Sequence, residues 1–182
     1  MSLEIFATSH RELTTDELAG VRNLFDAEYL VDFGPWNPEQ PYGYAPHDVH
    51  LIARLEGAPV GHIGWAGRTI GVGDHDVVIA GVGGVLVADR VRGLGVGERL
   101  MRRAIESMRE AGGIDFGYLG CREAVVPFYE SCGWSRVTAA ERTLDRAGTA
   151  SVQPAGQPLL VFPVGAMGVW PEGDIDLRGR AW

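Results

Sequence analysis

A glycine-rich turn is the part of the sequence whose residue types and spacing most directly indicate chemistry. It consists of an arginine followed by alternating glycines and apolar residues, Arg92-Gly93-Leu94-Gly95-Val96-Gly97. Glycine lets the backbone approach an anion closely and adopt positive φ values. The N-terminus of a helix adds a partial positive charge. The turn is therefore predicted to bind a phosphate group between a strand and a helix.

Two common phosphate-binding motifs do not fit this turn. A dinucleotide-binding Gly-x-Gly-x-x-Gly motif needs a glycine where Glu98 stands. A P-loop needs lysine followed by serine or threonine, and all 16 basic residues of this chain are arginine. What remains is Arg-x-x-Gly-x-Gly, formed by Arg92, Gly95 and Gly97. The structural alternative is a left-handed glycine turn that only connects a strand to a helix.

At this motif the chain resembles the GCN5-related N-acetyltransferases (GNAT), in which the loop holds the pyrophosphate of acetyl-coenzyme A (acetyl-CoA). The strand Val85-Leu86-Val87 precedes the loop, a helix over 98–111 follows it, and Phe128-Tyr129-Glu130 with Gly133-Trp134 matches a later family signature. The resemblance implies an α/β (α+β) fold with a mixed, mostly antiparallel central sheet flanked by helices. It also implies acetyl-CoA as the cofactor, bound by residues 85–87 and 92–97.

Two groups within the family look nearer than the rest. The segments His62-Ile63-Gly64 and Val161-Phe162-Pro163-Val164-Gly165 resemble nodulation N-acyltransferases, which move a fatty acyl group to a chito-oligosaccharide amine. Aminoglycoside 2′-N-acetyltransferases share the positions of His62, Gly84-Val85, Tyr129 and Trp182. Both groups acylate an amine on a sugar, so the resemblance implies a small-molecule acceptor such as an amino sugar or an aminoglycoside.

The same residues leave other functions open. The aminoglycoside enzymes carry a glutamate where this chain has Gly83, and a missing carboxylate is compatible with a non-catalytic acyl-CoA-binding module. The nodulation-like segments favour a fatty N-acyltransferase. A small-molecule binder with a purely structural glycine turn is a third alternative.

Transfer from a thioester to an amine requires a deprotonated amine, a stabilised carbonyl oxygen and a protonated leaving sulfur. The resemblance places the general acid at Tyr129, and the backbone N–H groups of Leu86 or Val87 at the carbonyl oxygen. For the base, His62 has an ordinary pKa near neutrality, and the C-terminal carboxylate of Trp182, acting through water, is a second candidate. A tyrosine or strand histidine that merely satisfies its own hydrogen bonds is the structural alternative.

Three further residues are expected to contact the acceptor. Asp32 aligns with an acidic acceptor-binding position of the aminoglycoside enzymes, although a solvated loop aspartate is nearly as well supported. Trp36 lies in residues 34–48, a proline- and aromatic-rich stretch that is typical of a lid over a site. Trp182 matches a terminal tryptophan of the aminoglycoside enzymes.

The elements that must position these residues follow the order β-α-(lid)-β-β-β-α-β-α-β. Thr14 and Glu17 predict a capping box at the start of the first helix. Strands are predicted at 3–7, 49–55, 59–66, 77–87, 116–119 and 159–162, and later helices at 98–111 and 125–131. One domain over 1–182 is expected, with a polar C-terminal tail at 171–182.

The composition narrows the partners. The net charge of −8 disfavours a nucleic-acid backbone and is compatible with a cationic small molecule. No His/Cys spacing is typical of zinc, so no metal is expected. The absence of a signal-peptide pattern and of a long apolar run favours a cytoplasmic protein with no membrane partner. A homodimer is expected from the relatives.

Overall fold

The computed structural model describes residues 2–182, that is, the whole chain except Met1. Three α-helices and ten strands make up its regular structure. The helices are α1 (Thr15–Phe33), α2 (Val96–Ala111) and α3 (Val126–Ser131). The strands are β1 (Leu3–Ser9), β2 (Val49–Leu55), β3 (Ala58–Val72), β4 (His75–Val87), β5 (Phe116–Gly120), β6 (Ser135–Val137), β7 (Glu141–Leu144), β8 (Ala150–Gln153), β9 (Leu159–Pro163) and β10 (Ile175–Arg180).

All ten strands belong to one sheet, whose main path is β6-β9-β5-β4-β3-β10-β7-β8. The long strand β3 pairs with β2 along its first half and with β10 at its end, and β1 continues the sheet beyond β2. Two pairs are parallel, β4–β5 and β7–β10, and the other described pairs are antiparallel. This confirms the predicted mixed, mostly antiparallel sheet.

Helix α2 covers one face of the sheet. Its apolar residues recur every three or four positions, which gives a helix one apolar face. That face packs against β3 and β4, where Ile63, Trp65, Ala80 and Val82 are buried. The burial of Ile63 and of Val82 contributes roughly 1.5–3 kcal/mol each. The packing fixes the start of α2 directly beyond the end of β4.

Helix α1 covers the opposite face. Leu51 and Ala53 belong to the core under α2, whereas Ile52 between them packs with Val21 and Phe25 of α1. Successive strand residues point to opposite faces, so the two helices lie on different sides of the sheet. Thr14 caps α1 through the predicted capping box with Glu17. No helix within residues 2–182 is long and apolar enough to cross a membrane.

The region after residue 134 differs most from the sequence-based expectation. The strands β6, β7 and β8 were not predicted, and they are only three or four residues long. The expected polar tail at 171–182 is corrected, because it contains β10, which lies between β3 and β7. Ile175 and Leu177 are buried there, while Asp176 and Arg178 alternate with them. That alternation is a strand pattern, but it spans too few residues to stand out in a charged segment.

Candidate active site

The strands β4 and β5 run side by side for three residue pairs and then separate. Their pairing ends at Gly81 and Tyr118, although β4 continues to Val87. The gap opens into a cleft of about 700 Å³, lined on one side by residues 82–85 and on the other by residues 118–122. That volume suits a small molecule or part of a cofactor.

The glycine turn lies between the end of β4 and the start of α2. Gly93 (φ +77°) and Gly95 (φ +73°) adopt the left-handed conformation that favours glycine. Gly95 is the N-cap of α2, and no side chain in the described part of the chain caps it. The first N–H groups of α2 are therefore free of side-chain partners, and such an uncapped helix N-terminus can bind an anion. Leu94 is exposed, and Val96 is buried beneath the turn.

The side chain of Arg92 is engaged within the protein. Its Nε donates to the carbonyl of Val87 at 3.0 Å, Nη1 donates to Asp89 at 3.0 Å, and Nη2 pairs with Glu28 of α1. The guanidinium thus ties the turn to the end of β4 and to α1. Anion binding by the turn would consequently depend on backbone N–H groups.

The end of β4 carries a β-bulge at the cleft. His62 pairs with Leu86 and Gly64 with Gly83, so β4 has one residue more than β3 between these pairs. Gly84 in the bulge has φ +56°. Val85 lines the cleft, whereas the side chain of Leu86 is buried under α1. The backbone of β4 therefore faces the cleft where the resemblance expects the thioester, although the contacts expected from Leu86 and Val87 stay predictions.

Tyr129 of α3 lines the cleft and is only 6% exposed. Its hydroxyl takes part in none of the side-chain hydrogen bonds found within residues 2–182. Burial, followed by the nearby Cys121 and Cys132, raises the pKa of the Tyr129 phenol well above its usual value. The phenol therefore keeps its proton at neutral pH, as a proton donor must. Its neighbour Phe128 also lines the cleft and packs against Gly97, which links the cleft to the first turn of α2.

His62 does not line the cleft but takes part in a chain of hydrogen bonds under α1. Its Nδ1 donates to the carbonyl of Gly84 at 2.7 Å, and its Nε2 lies 2.9 Å from Nδ1 of His50. The Nε2 of His50 lies 3.0 Å from Nδ1 of His10, whose Nε2 is 3.2 Å from Glu39 at the surface. A carbonyl oxygen only accepts, so His62 must accept from His50, and His50 from His10. Both nitrogens of His62 are thus occupied.

A fourth histidine, His47, completes what we call the histidine cluster (His10, His47, His50 and His62). Its ring lies against Gly64, where an added Cβ would come within 2.3 Å of it. Neither ring nitrogen has a hydrogen-bond partner in the described structure. Burial lowers the pKa of His47, His50 and His62 to about 3. These three rings are therefore neutral at physiological pH, and no group of side chains in residues 2–182 is arranged to hold a metal ion.

The predicted acceptor residues fall in different places. Asp32 is exposed on α1, outside the cleft lining. Trp36 is 2% exposed and stacks on Phe25 at 5.1 Å, so its indole belongs to the core. Trp182 lines the cleft, and its ring covers Gly81 so closely that an added Cβ would lie 2.1 Å from it.

Only part of the predicted lid reaches the cleft. Of residues 34–48, Gly43 and Tyr44 line it. The rest of the segment includes Trp36 in the core and His47 in the histidine cluster. The role of this segment as a lid stays a prediction.

The sequence reasoning missed a polar pair in the cleft, formed by Tyr118 of β5 and Glu141 of β7. The Tyr118 hydroxyl donates to Oε2 of Glu141, and both residues are buried and line the cleft. Burial raises the pKa of Glu141, while the bond from Tyr118 lowers it. The weak strand pattern of residues 141–144 gave no reason to place this glutamate beside Tyr118.

Comparisons with known proteins agree with this geometry. A family model for the acetyltransferase (GNAT) domain matches residues 9–137. The fold is similar to that of Escherichia coli ElaA, with 20% identity, a TM-score of 0.60, and coverage of 88% of this chain and 97% of that chain. It is also similar to a Brucella melitensis GNAT acetyltransferase in complex with acetyl-CoA (17% identity, TM-score 0.60, coverage 94% and 94%). Escherichia coli YhbS in complex with CoA is similar as well (16% identity, TM-score 0.60, coverage 97% and 91%).

The comparison with curated proteins gave no match. The family model nevertheless spans most of the chain, from the last residue of β1 to the end of β6, and includes the glycine turn and Tyr129. The chain therefore belongs to the GNAT acetyltransferase family.

Proposed function

We propose that this protein transfers an acetyl group from acetyl-CoA to a primary amine of a small molecule. The observation that carries the proposal is the continuity of three features: the uncapped start of α2, the cleft between β4 and β5, and Tyr129 in the cleft wall. Phe128 joins the first two because it contacts Gly97 and lines the cleft. The similar Brucella and YhbS structures, which hold acetyl-CoA and CoA, support the same ligand here.

The glycine turn fits the diphosphate of such a cofactor. Gly93 is exposed, and no atom lies within 4 Å of the position that a Cβ would occupy. A phosphate could therefore approach the backbone of the turn at Gly93 without a steric barrier. The helix N-terminus adds favourable charge. Arg92 would shape the turn through its bonds to Val87 and Asp89.

Acetyl-CoA supplies the acetyl group as a thioester. Tyr129 would donate a proton to the leaving sulfur, and its raised pKa keeps that proton available. The bulge at Gly84 and Val85 would present backbone N–H groups to the carbonyl oxygen. Holding the two substrates side by side contributes further, since proximity alone can supply roughly 7–11 kcal/mol.

His62 is not proposed to take the proton of the amine directly. Both of its nitrogens are hydrogen-bonded, it is absent from the cleft lining, and burial lowers its pKa to about 3. We assign it to holding the Gly84 carbonyl and thereby the bulge of β4. The proton acceptor must then be another group.

An amino sugar or aminoglycoside is our proposal for the acceptor. The cleft lining includes the polar side chains of Thr143, Gln153 and Gln157 and the aromatic side chains of Tyr44 and Trp182. Side chains of these types recognise a ring that carries hydroxyl groups through directional hydrogen bonds. A cytoplasmic location and a homodimer stay predictions.

A matched pair of glycine variants tests the cofactor site. Gly93 and Gly112 both have positive φ (+77° and +71°), and no atom lies within 4 Å of either Cβ position. They lie at opposite ends of α2, so Gly93→Asp places a negative charge at the proposed diphosphate and Gly112→Asp does not. We expect calorimetric CoA affinity to fall at least about 10-fold for Gly93→Asp only, because a like charge opposes anion binding. No CoA binding by the wild type, or equal loss in both variants, would contradict the proposal.

Tyr129→Phe tests the proton donor. Thiol release from acetyl-CoA should be followed with kanamycin, glucosamine and spermidine as acceptors. We expect kcat to fall by about 100-fold with little change in KM, because general acid catalysis acts in the transition state. Tyr29→Phe is the control, since it removes a tyrosine hydroxyl from α1, outside the cleft. An unchanged kcat would remove Tyr129 from the mechanism.

A further inference from the structure

Among residues 2–182, Glu141 is the one acidic residue that is buried. The sequence holds 24 acidic residues, and Glu141 is 8% exposed. A buried carboxylate lowers stability unless a cation or several donors compensate for its lost hydration. None of the ion pairs formed within residues 2–182 includes Glu141. Among residues 2–182, no cation therefore forms an ion pair with the Glu141 carboxylate, although Arg122 and Arg146 line the same cleft.

One oxygen of this carboxylate is held in place and the other faces the cleft. Tyr118 donates to Oε2, whereas no hydrogen bond of the described residues reaches Oε1. Oε1 is not one of the polar atoms that are both inaccessible to solvent and without a hydrogen-bond partner. Because Glu141 lines the cleft, Oε1 is accessible from the cleft. The ring of Tyr118 stacks on Trp170 with centroids 5.9 Å apart, which fixes the phenol and through it the carboxylate. A purely structural tie between β5 and β7 would not need the second oxygen to face a cavity.

The carboxylate lies where β4 and β5 begin to separate. Tyr118 pairs with Gly81 in the last residue pair before the strands part. Trp182 covers Gly81 on that side, and Tyr129 lines the same cleft from α3. A proton acceptor and a proton donor are thus contributed by separate elements to one cavity, as a reaction that moves protons in opposite directions requires.

We propose that Glu141 binds the ammonium group of the acceptor through Oε1 and removes its proton, an inference that rests on the proposed function. The ammonium R–NH₃⁺ gives one proton to Glu141 and becomes R–NH₂. The nitrogen then bonds to the thioester carbonyl carbon, and the carbon–sulfur bond breaks. Tyr129 protonates the sulfur and recovers a proton from the acylated nitrogen. In total, the ammonium group loses two protons: one ends on the thiol, and one leaves to solvent from Glu141.

The same carboxylate would select the class of acceptor. A cationic primary amine compensates for the buried charge, whereas a neutral alcohol of the same shape would leave Oε1 without a cation. Thr143 and Gln153 line the cleft on the neighbouring strands. The Thr143 hydroxyl donates its proton to the Gly179 carbonyl at 3.0 Å, so its oxygen can accept from a hydroxyl group beside the amine. The preferred acceptor is therefore a cationic amine next to hydroxyl groups. Burial raises the pKa of Glu141, which makes it a stronger base than an exposed glutamate.

Glu141→Gln tests the assignment with kanamycin and glucosamine as acceptors. We expect kcat/KM to fall at least 100-fold and its decline at low pH to disappear, while calorimetric CoA affinity stays unchanged. Glu172→Gln is the control, because it makes the same change of side chain at an exposed residue outside the cleft lining. Its kcat/KM should change less than about 3-fold. Equal activity of Glu141→Gln and the wild type would overturn the inference.

A thermal unfolding measurement tests Glu141 without any acceptor. Its pKa is higher in the folded protein than in the unfolded chain, so the carboxylate increasingly opposes folding as pH rises through the folded value. We expect Glu141→Gln to raise Tm by about 2–4 °C at pH 8, and this gain to shrink as the pH is lowered toward the pKa of Glu141. A lower Tm at pH 8 would show that Glu141 serves the fold and would overturn the inference. Failure of the wild type to bind CoA would instead contradict the proposed function and leave this readout intact.

Discussion

The histidine cluster and the Glu141–Tyr118 pair are both buried polar groups beside the central strands, yet they differ in what they leave open. In the chain from His10 to Gly84, each nitrogen of His50 and His62 already has a hydrogen-bond partner. In the pair, Oε1 of Glu141 has none and faces the cleft. The chain of His10, His50 and His62 satisfies its own hydrogen bonds, whereas the Glu141–Tyr118 pair can still bind a ligand.

Burial also changes the base strength of the two regions in opposite directions. It lowers the pKa of His62 to about 3, whereas it raises the pKa of Glu141. Burial disfavours the charged form of both side chains. The charged form of histidine is the protonated acid, whereas the charged form of glutamate is the deprotonated base. An ordinary pKa near neutrality therefore does not make a buried histidine a base. The environment reverses the ranking that side-chain type alone would give.

The largest test of this contrast is the pH dependence of stability. Unfolded histidines bind protons below about pH 6.5, whereas His47, His50 and His62 stay neutral in the folded protein down to about pH 3. The unfolded state thus binds more protons in this window, and stability falls as pH decreases. We expect the free energy of unfolding in urea to fall by about 1 kcal/mol per buried histidine between pH 7 and 5.5, about 3 kcal/mol in all.

A control variant isolates this effect. His75 is exposed on β4, so His75→Gln should keep the wild-type slope. A free energy of unfolding that stays constant from pH 7 to 5.5 would contradict the neutral, buried state of the cluster.

The elements around the cofactor site could be predicted from the sequence because their signals are local. The glycine turn, the apolar spacing of α2 and the capping box of Thr14 each lie within a few consecutive residues. The structure confirms the capping box and the strand–turn–helix order at Gly93–Gly97. Tyr129 lies in the cleft wall, as the resemblance implied, but its catalytic role stays a prediction.

The acceptor side could not be predicted because its residues meet only through the sheet order. Tyr118 and Glu141 are 23 positions apart on strands that do not pair. The histidine cluster joins residues 10, 47, 50 and 62, and only the register between β2 and β3 brings His50 beside His62. From its place in a proline-rich stretch, Trp36 is expected at the surface. Only its stacking on Phe25 shows that it belongs to the core.

A smaller test of the contrast is His62→Leu. The substitution leaves the Gly84 carbonyl and Nδ1 of His50 without partners in a buried region. Such losses cost about 1–3 kcal/mol for each buried group, so for the two groups we expect a total destabilisation of at least about 2 kcal/mol in urea unfolding. If His62 only positions the bulge, the loss of kcat should be smaller than that of Glu141→Gln. A stable variant with no turnover would mean that His62 takes part in catalysis.

The smallest expected effect is that of His47→Leu, which is the matched partner of His62→Leu in the same cluster. His47 is also buried and also has a pKa lowered to about 3, but no described group hydrogen-bonds to its ring. Leucine therefore leaves no donor or acceptor behind, and the removal of two buried nitrogens offsets the change in packing against Gly64. We expect the free energy of unfolding at pH 7 to change by less than about 1 kcal/mol. Its decrease between pH 7 and 5.5 should be about 1 kcal/mol smaller than that of the wild type. A destabilisation as large as that of His62→Leu would mean that His47 has a hydrogen-bond partner in solution, and the distinction between saturated and unpaired histidines would fail.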